Sequence, residues 1–145
     1  ARLKTYGALF GDKNHKAFSR FCLCGHEKSG LGISMSQHIV CVRCEQSNGL
    51  VRVQLGWDKP MAEFYLVVFA EPPAGQHISD ERIIYSNLDD PHSHAQELSY
   101  FKGVVRELGC DIPDSMWRAA YRDREFNVVN KTVFYSPSGD VVEHL

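Results

Sequence analysis

The run AEFYLVVFA at residues 62–70 is the strongest structural signal in the chain. Almost every residue in it is aromatic, β-branched or otherwise apolar. A continuous apolar run of this length, bounded by turn residues, is typical of a strand that is buried on both faces. Pro60 before the run and Pro72 and Pro73 after it mark those turns. We therefore predict a central strand here, with the rest of the sheet arranged around it.

Further strands are predicted on both sides of this run. Residues 50–55, LVRVQL, alternate between two faces, which is the pattern of a half-buried strand. Residues 33–42 and 82–85 predict two further strands. Residues 131–135 and 140–143 flank Ser-Pro-Ser-Gly and predict a β-hairpin.

Two helices are predicted between residues 90 and 125. Four apolar residues recur at helical spacing in the first helix, and Gly109 follows as a left-handed cap; they are Leu98, Phe101, Val105 and Leu108. Two starts are possible for this helix, one at Asp90-Pro91 and one at a capping box of Ser93 and Gln96. The second helix starts at Asp114 or Asp111. It should carry Met116, Trp117, Ala120 and Tyr121 on one side, with Arg118, Arg122 and Asp123 around the other.

This order of elements predicts an α+β fold in which two helices cover one face of a mainly antiparallel sheet. A small β module that resembles a zinc ribbon in outline precedes it, over residues 18–56. Pattern and charge both change after residue 56, so we place a boundary there, between residues 1–56 and residues 57–145. The two parts form either separate domains or one continuous fold.

Four of the five cysteines fall in two close pairs, Cys22 with Cys24 and Cys41 with Cys44. Zinc takes four thiolate or imidazole ligands from separate chain segments, and two short cysteine pairs divided by a loop commonly supply them. We predict a structural zinc ion at these four cysteines. The alternative ligands are His26 and His38.

The geometry of each pair decides whether its thiols can share an ion. Side chains alternate along a strand, so Cys41 and Cys44 would face opposite ways unless the chain turns between them. Cys22 and Cys24 would share a face, roughly 6 to 7 Å apart, and need a bend to meet. The spacing of this first pair also departs from that of a zinc ribbon, so the function of zinc ribbons is not carried over. Buried core thiols and disulfides remain the alternatives.

The fifth cysteine, Cys110, has no partner near it in the sequence. Nothing close to it in the chain would supply a base or lower the pKa of its thiol. We predict that it is a buried thiol and not a nucleophile.

Charge is divided between the two parts of the chain. Residues 1–56 carry eight basic and three acidic residues, a net charge of +5, and residues 57–145 carry −7. A basic region favours an anionic partner. The leading hypothesis is a non-catalytic zinc-binding protein that contacts nucleic acid or an acidic partner through its basic part. The predicted anion contacts are Arg20, Lys28, Arg43 and Arg52.

Two other functions are compatible with the sequence. In the first, the acidic α+β part binds or inhibits another protein. In the second, the protein is a metal-dependent hydrolase with a second metal site at His77, Asp90, His92 and His94. Those four residues lack the spacing of a known metalloenzyme motif.

Composition and motifs exclude several function classes. The chain has 145 residues, of which 43% are hydrophobic and 23% charged, as in ordinary globular proteins. It contains no apolar run long enough to span a membrane and no secretory signal, which predicts a cytoplasmic protein without a membrane partner. Neither a glycine-rich phosphate loop nor a G-x-S-x-G serine motif occurs.

Overall fold

The computed structural model of the protein describes residues 34–72 and 82–145. Within them, eight helices and strands follow one another along the chain. They are β1 (Ser36–Cys44), β2 (Gly49–Asp58), β3 (Glu63–Ala70), β4 (Arg82–Ser86), α1 (Leu98–Leu108), α2 (Asp114–Glu125), β5 (Lys131–Tyr135) and β6 (Val141–His144). A 3₁₀ turn at Asn87–Asp89 follows β4. The described part is α+β, as the sequence predicts.

All six strands form one mixed sheet in the order β4-β3-β2-β1-β5-β6. Neighbouring strands are antiparallel except β1 and β5, which are parallel, with Ser36 opposite Lys131. The sequence predicted a mainly antiparallel sheet and gave no sign of this parallel pair. After β4 the chain runs through both helices and re-enters the sheet beside β1, and a parallel neighbour requires a long connection of this kind.

The apolar run at residues 62–70 forms β3, which confirms the predicted central strand. It pairs with β2 on one side and β4 on the other. The alternation predicted for β2 holds on one face, where Val51, Val53 and Leu55 are fully buried in the core between the sheet and the helices. The other face is not solvated as a half-buried strand requires, since Leu50 and Arg52 are also buried. Apolar residues of β1 and β3 complete the sheet side of this core.

Helix α1 buries the four predicted residues, Leu98, Phe101, Val105 and Leu108. Gly109 ends it with φ 77°, the left-handed conformation that glycine adopts without strain. Both predicted starts were wrong. The helix begins after Glu97, which makes no side-chain cap, and the Ser93 hydroxyl instead donates to the carbonyl oxygens of Asn87 and Asp90 at 2.7 and 2.8 Å. Ser93 therefore closes the 3₁₀ turn and does not cap a helix.

Helix α2 begins at Asp114, and its buried side holds Met116, Trp117 and Ala120 as predicted. Tyr121, which was predicted on the same side, is 48% exposed. Asp123 differs from the prediction. The sequence placed it on the solvated side, but its side chain is completely buried between α2 and the sheet.

The predicted boundary at residue 56 falls inside β2, and β2 pairs with β1 on one side and β3 on the other. The sheet is therefore continuous across this position. Of the zinc-ribbon-like module, residues 18–33 lie outside the described residues, and residues 34–56 belong to the six-stranded sheet. In the described ranges, neither α1 nor α2 is long and apolar enough to cross a membrane.

Candidate functional site

A cavity of about 740 Å³ lies between edge strand β4 and helix α1. Its walls come from β4, from the turn that follows β4, and from one face of α1. That face carries Ser99, Tyr100, Gly103, Val104 and Glu107, which recur at the three- and four-residue spacing of a helix. The volume lies within the range of ordinary ligand-binding pockets.

Asp90 joins the two walls of this cavity. The hydroxyls of Tyr85 on β4 and Tyr100 on α1 both donate to Asp90 Oδ2, at 2.8 and 2.7 Å. Asp90 Oδ1 accepts the backbone N–H of His92 at 3.0 Å. One carboxylate therefore holds β4, the following loop and α1 together, so the cavity has fixed walls.

These hydrogen bonds fix the protonation of the three groups. The hydrogen bond from Tyr100, followed by that from Tyr85, lowers the pKa of Asp90 below its ordinary value. Burial and the nearby Asp90 carboxylate raise the pKa of Tyr85, and the hydrogen bond to Asp90 raises that of Tyr100. At neutral pH Asp90 is consequently a carboxylate and both tyrosines are neutral donors.

Gly103 leaves space in the middle of the helical wall. A Cβ placed on Gly103 would meet no heavy atom within 4 Å. Glycine inside a helix costs about 0.5–1 kcal/mol relative to alanine, and packing does not require it at this position. Its effect is to widen the cavity beside Tyr100 and Glu107.

The cavity lining is acidic. It contains the carboxylates of Asp89, Asp90 and Glu107, and no lysine, arginine or histidine is among the described residues that line it. Tyrosine rings beside carboxylates attract a cation through both charge and the π face of the ring. The arrangement is therefore suited to binding a positively charged group.

A second cavity, of about 850 Å³, lies between α1 and α2 and is lined in part by Trp117 and Tyr121. Its lining is balanced in charge, with three basic and three acidic side chains. Arg124 bonds Glu97 at 2.7 Å, and Arg118 forms an ion pair with Asp114. Since basic and acidic side chains are equal in number in the lining, this groove has no net charge to select a ligand.

The four residues predicted for a second metal site are not assembled as one. Asp90 is occupied by two tyrosines, and His94 Nδ1 lies 2.6 Å from Glu63 Oε1, while His77 lies outside the described residues. His92 is exposed beside the first cavity, where its backbone N–H and not its ring bonds Asp90. In residues 34–72 and 82–145, no group of three or more His, Cys, Asp or Glu side chains could hold a metal ion.

Cys41 and Cys44 lie in β1, which runs through both without a turn. Cys41 packs against Ile39 and Phe134 on one face of the sheet, whereas Cys44 is buried in the core on the helix face. The turn that these two thiols need in order to share an ion is absent from β1. Cys22, Cys24 and His26 lie outside the described residues, so the zinc site stays a prediction.

Cys110 has a partner that the sequence did not reveal. It faces Cys44 in an isolated antiparallel bridge, and both side chains are buried in the same core. The Cys44 thiol also donates to the Leu108 carbonyl oxygen at 2.9 Å. The hydrogen bond from Cys110 lowers the pKa of Cys44 to about 6, and the hydrogen bond with Cys44, together with burial, raises the pKa of Cys110.

His38, the alternative zinc ligand, belongs to a buried hydrogen-bonded network. Its Nε2 donates to Asp123 Oδ2 at 2.6 Å, and its Nδ1 lies 2.9 Å from the Tyr135 hydroxyl. Lys131 Nζ donates to Asp123 Oδ1 at 3.0 Å. Both ring nitrogens are thus engaged, and the network ties α2 to β1 and β5.

This network predicts a specific loss of stability in acid. Burial is the largest single influence on Asp123 and raises its pKa, but hydrogen bonds from His38, Ser36 and Lys131 together outweigh it and lower the net pKa. A carboxyl with a lowered folded-state pKa contributes stability above its unfolded pKa of about 3.9 and loses it as pH falls through the folded value. We expect the urea midpoint to drop below about pH 4, and to drop less in Asp123→Ala. Equal acid sensitivity of both proteins would contradict this assignment.

The predicted anion contacts fall in different places. Arg20 and Lys28 lie outside the described residues, and Arg43 is exposed on β1. Arg52 is only 3% exposed; its guanidinium lies 4.2 Å from the centre of the Phe69 ring and 3.9 Å from Glu71 Oε1. It is therefore inside the protein and not on the surface where a nucleic acid would bind.

Comparison of the chain with protein-family models, with curated proteins and with solved structures gave no match.

Proposed function

We propose that this protein is a protein-interaction module whose acidic α+β region binds a basic segment of a partner. The observation that carries the proposal is the cavity between β4 and α1, which is lined by three carboxylates and two tyrosines with no basic side chain among its described residues. Lysine or arginine is the side chain that complements such a lining.

Charge at longer range supports the same partner. Residues 57–145 carry a net charge of −7, and every described residue that lines the cavity except Gln46 belongs to this part of the chain. An acidic surface attracts a basic segment before contact and raises its rate of association. Both the local lining and the wider surface thus favour a positive ligand.

The fixed walls of the cavity lower the entropic cost of binding a ligand. Because Tyr85 and Tyr100 are already held by Asp90, their rings need no further ordering when a cation arrives. Ordering of side chains is one of the main costs of association. Glu107 is then the carboxylate at the helical wall that a lysine or arginine would pair with, while Asp90 keeps the site in shape.

Fluorescence anisotropy with a labelled peptide of alternating arginine and glycine tests this proposal. We expect the full chain to bind it at low salt, more weakly as the Debye length falls below about 10 Å, and not to bind a matched glutamate-glycine peptide. Glu107→Lys should weaken binding by about tenfold or more, which corresponds to about 1.4 kcal/mol. Gly103→Leu should also weaken it, because the new side chain would occupy the cavity.

Matched variants separate this site from general attraction to an acidic protein. Glu125→Lys makes the same change in charge on α2, outside the β4–α1 cavity, and Gly103→Ala adds only one methyl group to the cavity wall. We expect both to bind within about twofold of wild type, since neither removes the proposed contact. Equal losses in Glu107→Lys and Glu125→Lys, or no binding by the wild type, would refute the proposal.

Zinc binding and nucleic-acid binding through residues 1–56 remain a separate proposal, supported by the charge of +5 and the number of cysteines there. Such a zinc site would use at most one of Cys41 and Cys44, since these two lie on opposite faces of β1. Elemental analysis of the purified protein tests for zinc. A duplex and a single-stranded oligonucleotide in the same anisotropy assay test for nucleic-acid binding, which should be strongest at low salt.

A further inference from the structure

We infer that Cys44 and Cys110 form a redox modification site, at which an intramolecular disulfide joins the end of β1 to the segment that follows α1. The two residues face each other in an antiparallel bridge. Cys44 is fully buried and Cys110 is 8% exposed, and both belong to the core between the sheet and the helices.

The backbone around the pair has the geometry that a disulfide needs. The N–H of Glu45 donates to the carbonyl oxygen of Gly109 at 3.0 Å, so the hydrogen bond flanks the two cysteines and does not join them. Facing residues of this non-hydrogen-bonded type have Cα atoms about 4.5 Å apart and side chains closer together than in the other type. Disulfides span Cα separations of about 4.4 to 6.8 Å.

The two side chains also lie on the same side of the bridge, since both are buried in the core between the sheet and the helices. Each thiol shifts the pKa of the other, as expected of neighbouring sulfur atoms. Cys41, three residues before Cys44, lies on the opposite face of the sheet against Ile39 and Phe134. Among the described cysteines, Cys110 is consequently the partner that Cys44 can reach without rearrangement of β1.

The oxidant that we propose is a hydroperoxide, with hydrogen peroxide as the simplest member. One thiol of the pair attacks as its thiolate, the O–O bond breaks, and the sulfur becomes a sulfenic acid while hydroxide leaves and takes up a proton as water. The second sulfur then attacks the first, the S–S bond forms, the S–O bond breaks, and the remaining oxygen leaves as water. Two thiols lose two electrons and two protons, and the peroxide is reduced to two molecules of water.

The site is buried, which sets the expected rate. Cys44 is fully buried and Cys110 only 8% exposed, so oxidation should be slow and limited by local opening. Cys110, the more exposed of the two, is the expected point of first contact with the peroxide.

Peptide mapping of the oxidised full chain tests the inference. After treatment of the folded protein with hydrogen peroxide, we expect digestion without reductant to give a cross-linked peptide that contains Cys44 and Cys110. The melting temperature should rise by about 10 °C, because the bond closes a long loop in the unfolded chain, and should fall again on reduction with dithiothreitol. Cys41→Ser is the matched control and should form the same cross-link.

The cross-link is measured on the wild-type protein, so the test does not depend on whether a variant folds. Cys110→Ser should abolish the cross-link, and Cys110→Ala serves if the serine variant fails to fold. A cross-link from Cys44 to any other cysteine, or oxidation of Cys44 without a cross-link, would overturn the inference. A Cys44–Cys110 bond that leaves the melting temperature unchanged or lower would show that the native backbone does not accommodate it.

Discussion

Replacement of Asp123 by alanine is expected to lower the free energy of unfolding by about 3 kcal/mol or more. The Asp123 side chain is completely buried and accepts hydrogen bonds from His38 and Lys131. Its removal leaves the His38 imidazole, which is also buried, with an unpaired Nε2 and takes the counter-ion from Lys131. An unpaired buried polar group bears the full cost of its desolvation. Urea denaturation, analysed by linear extrapolation, measures the change.

Asp114→Ala is the matched control for this prediction. It removes the same side chain from the same helix and also breaks an ion pair, that with Arg118, but both partners are about 70% exposed. Exposed pairs contribute roughly 0 to 1 kcal/mol, so Asp114→Ala should cost no more than that. Similar losses for the two variants would mean that the His38–Asp123–Lys131 contacts do not stabilise the fold beyond an ordinary surface pair.

Asp123 also shows where interpretation of this sequence from local pattern fails. Its neighbours on α2, Arg122 and Arg124, are charged, and a run of charged residues normally indicates a solvated helix face. Asp123 is buried only because His38 on β1 and Lys131 on β5 donate hydrogen bonds to its carboxylate. Helical periodicity does not carry this information.

Elements whose signal is local were predicted well. The central strand β3, the alternating strand β2, helix α1 with its glycine cap and the final hairpin each follow from residues within a short window. The start of α1 was missed because Ser93 has two possible uses, and the hydroxyl bonds carbonyl groups of the preceding turn. A capping residue can be recognised from sequence, but the backbone groups that compete for it cannot.

The cysteines were interpreted by nearness in the sequence, and this paired Cys44 with Cys41. Cys41 is close to it along the chain but on the other face of β1, whereas Cys110 meets it in space. The alternation of side chains along a strand was sufficient to expect Cys41 and Cys44 on opposite faces. The contact of Cys44 with Cys110 depends on where the chain returns to the sheet after α1, which no local pattern indicates.

The β4–α1 cavity was missed for the same reason. Tyr85 and Tyr100 stand on either side of Asp90 in the sequence, but their convergence on one carboxylate requires β4 and α1 to be packed together. One signal was available: Tyr100, Gly103 and Glu107 share a face of α1, and a glycine among larger residues on a helix face can indicate an open space.

Gly56→Ala is expected to lower the free energy of unfolding by about 3 kcal/mol, although it adds a single methyl group. Gly56 lies in β2 opposite Tyr65, and the Tyr65 ring crosses it to donate a hydrogen bond to the Ser36 carbonyl oxygen at 2.8 Å. A Cβ on Gly56 would lie far inside van der Waals contact with that oxygen and 2.9 Å from Tyr65 Cε1. Because the oxygen belongs to the backbone of β1, it cannot rotate away, and strands β1 and β2 must separate locally.

Gly103→Ala is the matched comparison, since it makes the same change where a Cβ meets nothing within 4 Å. Alanine is favoured over glycine inside a helix, so this variant should gain about 0.5–1 kcal/mol. The two glycines should thus respond with opposite signs in the same urea experiment. If Gly56→Ala instead loses less than about 1 kcal/mol, the close approach of Tyr65 and Ser36 across Gly56 does not hold β1 and β2 in place, because the strands then absorb the methyl group without breaking that contact.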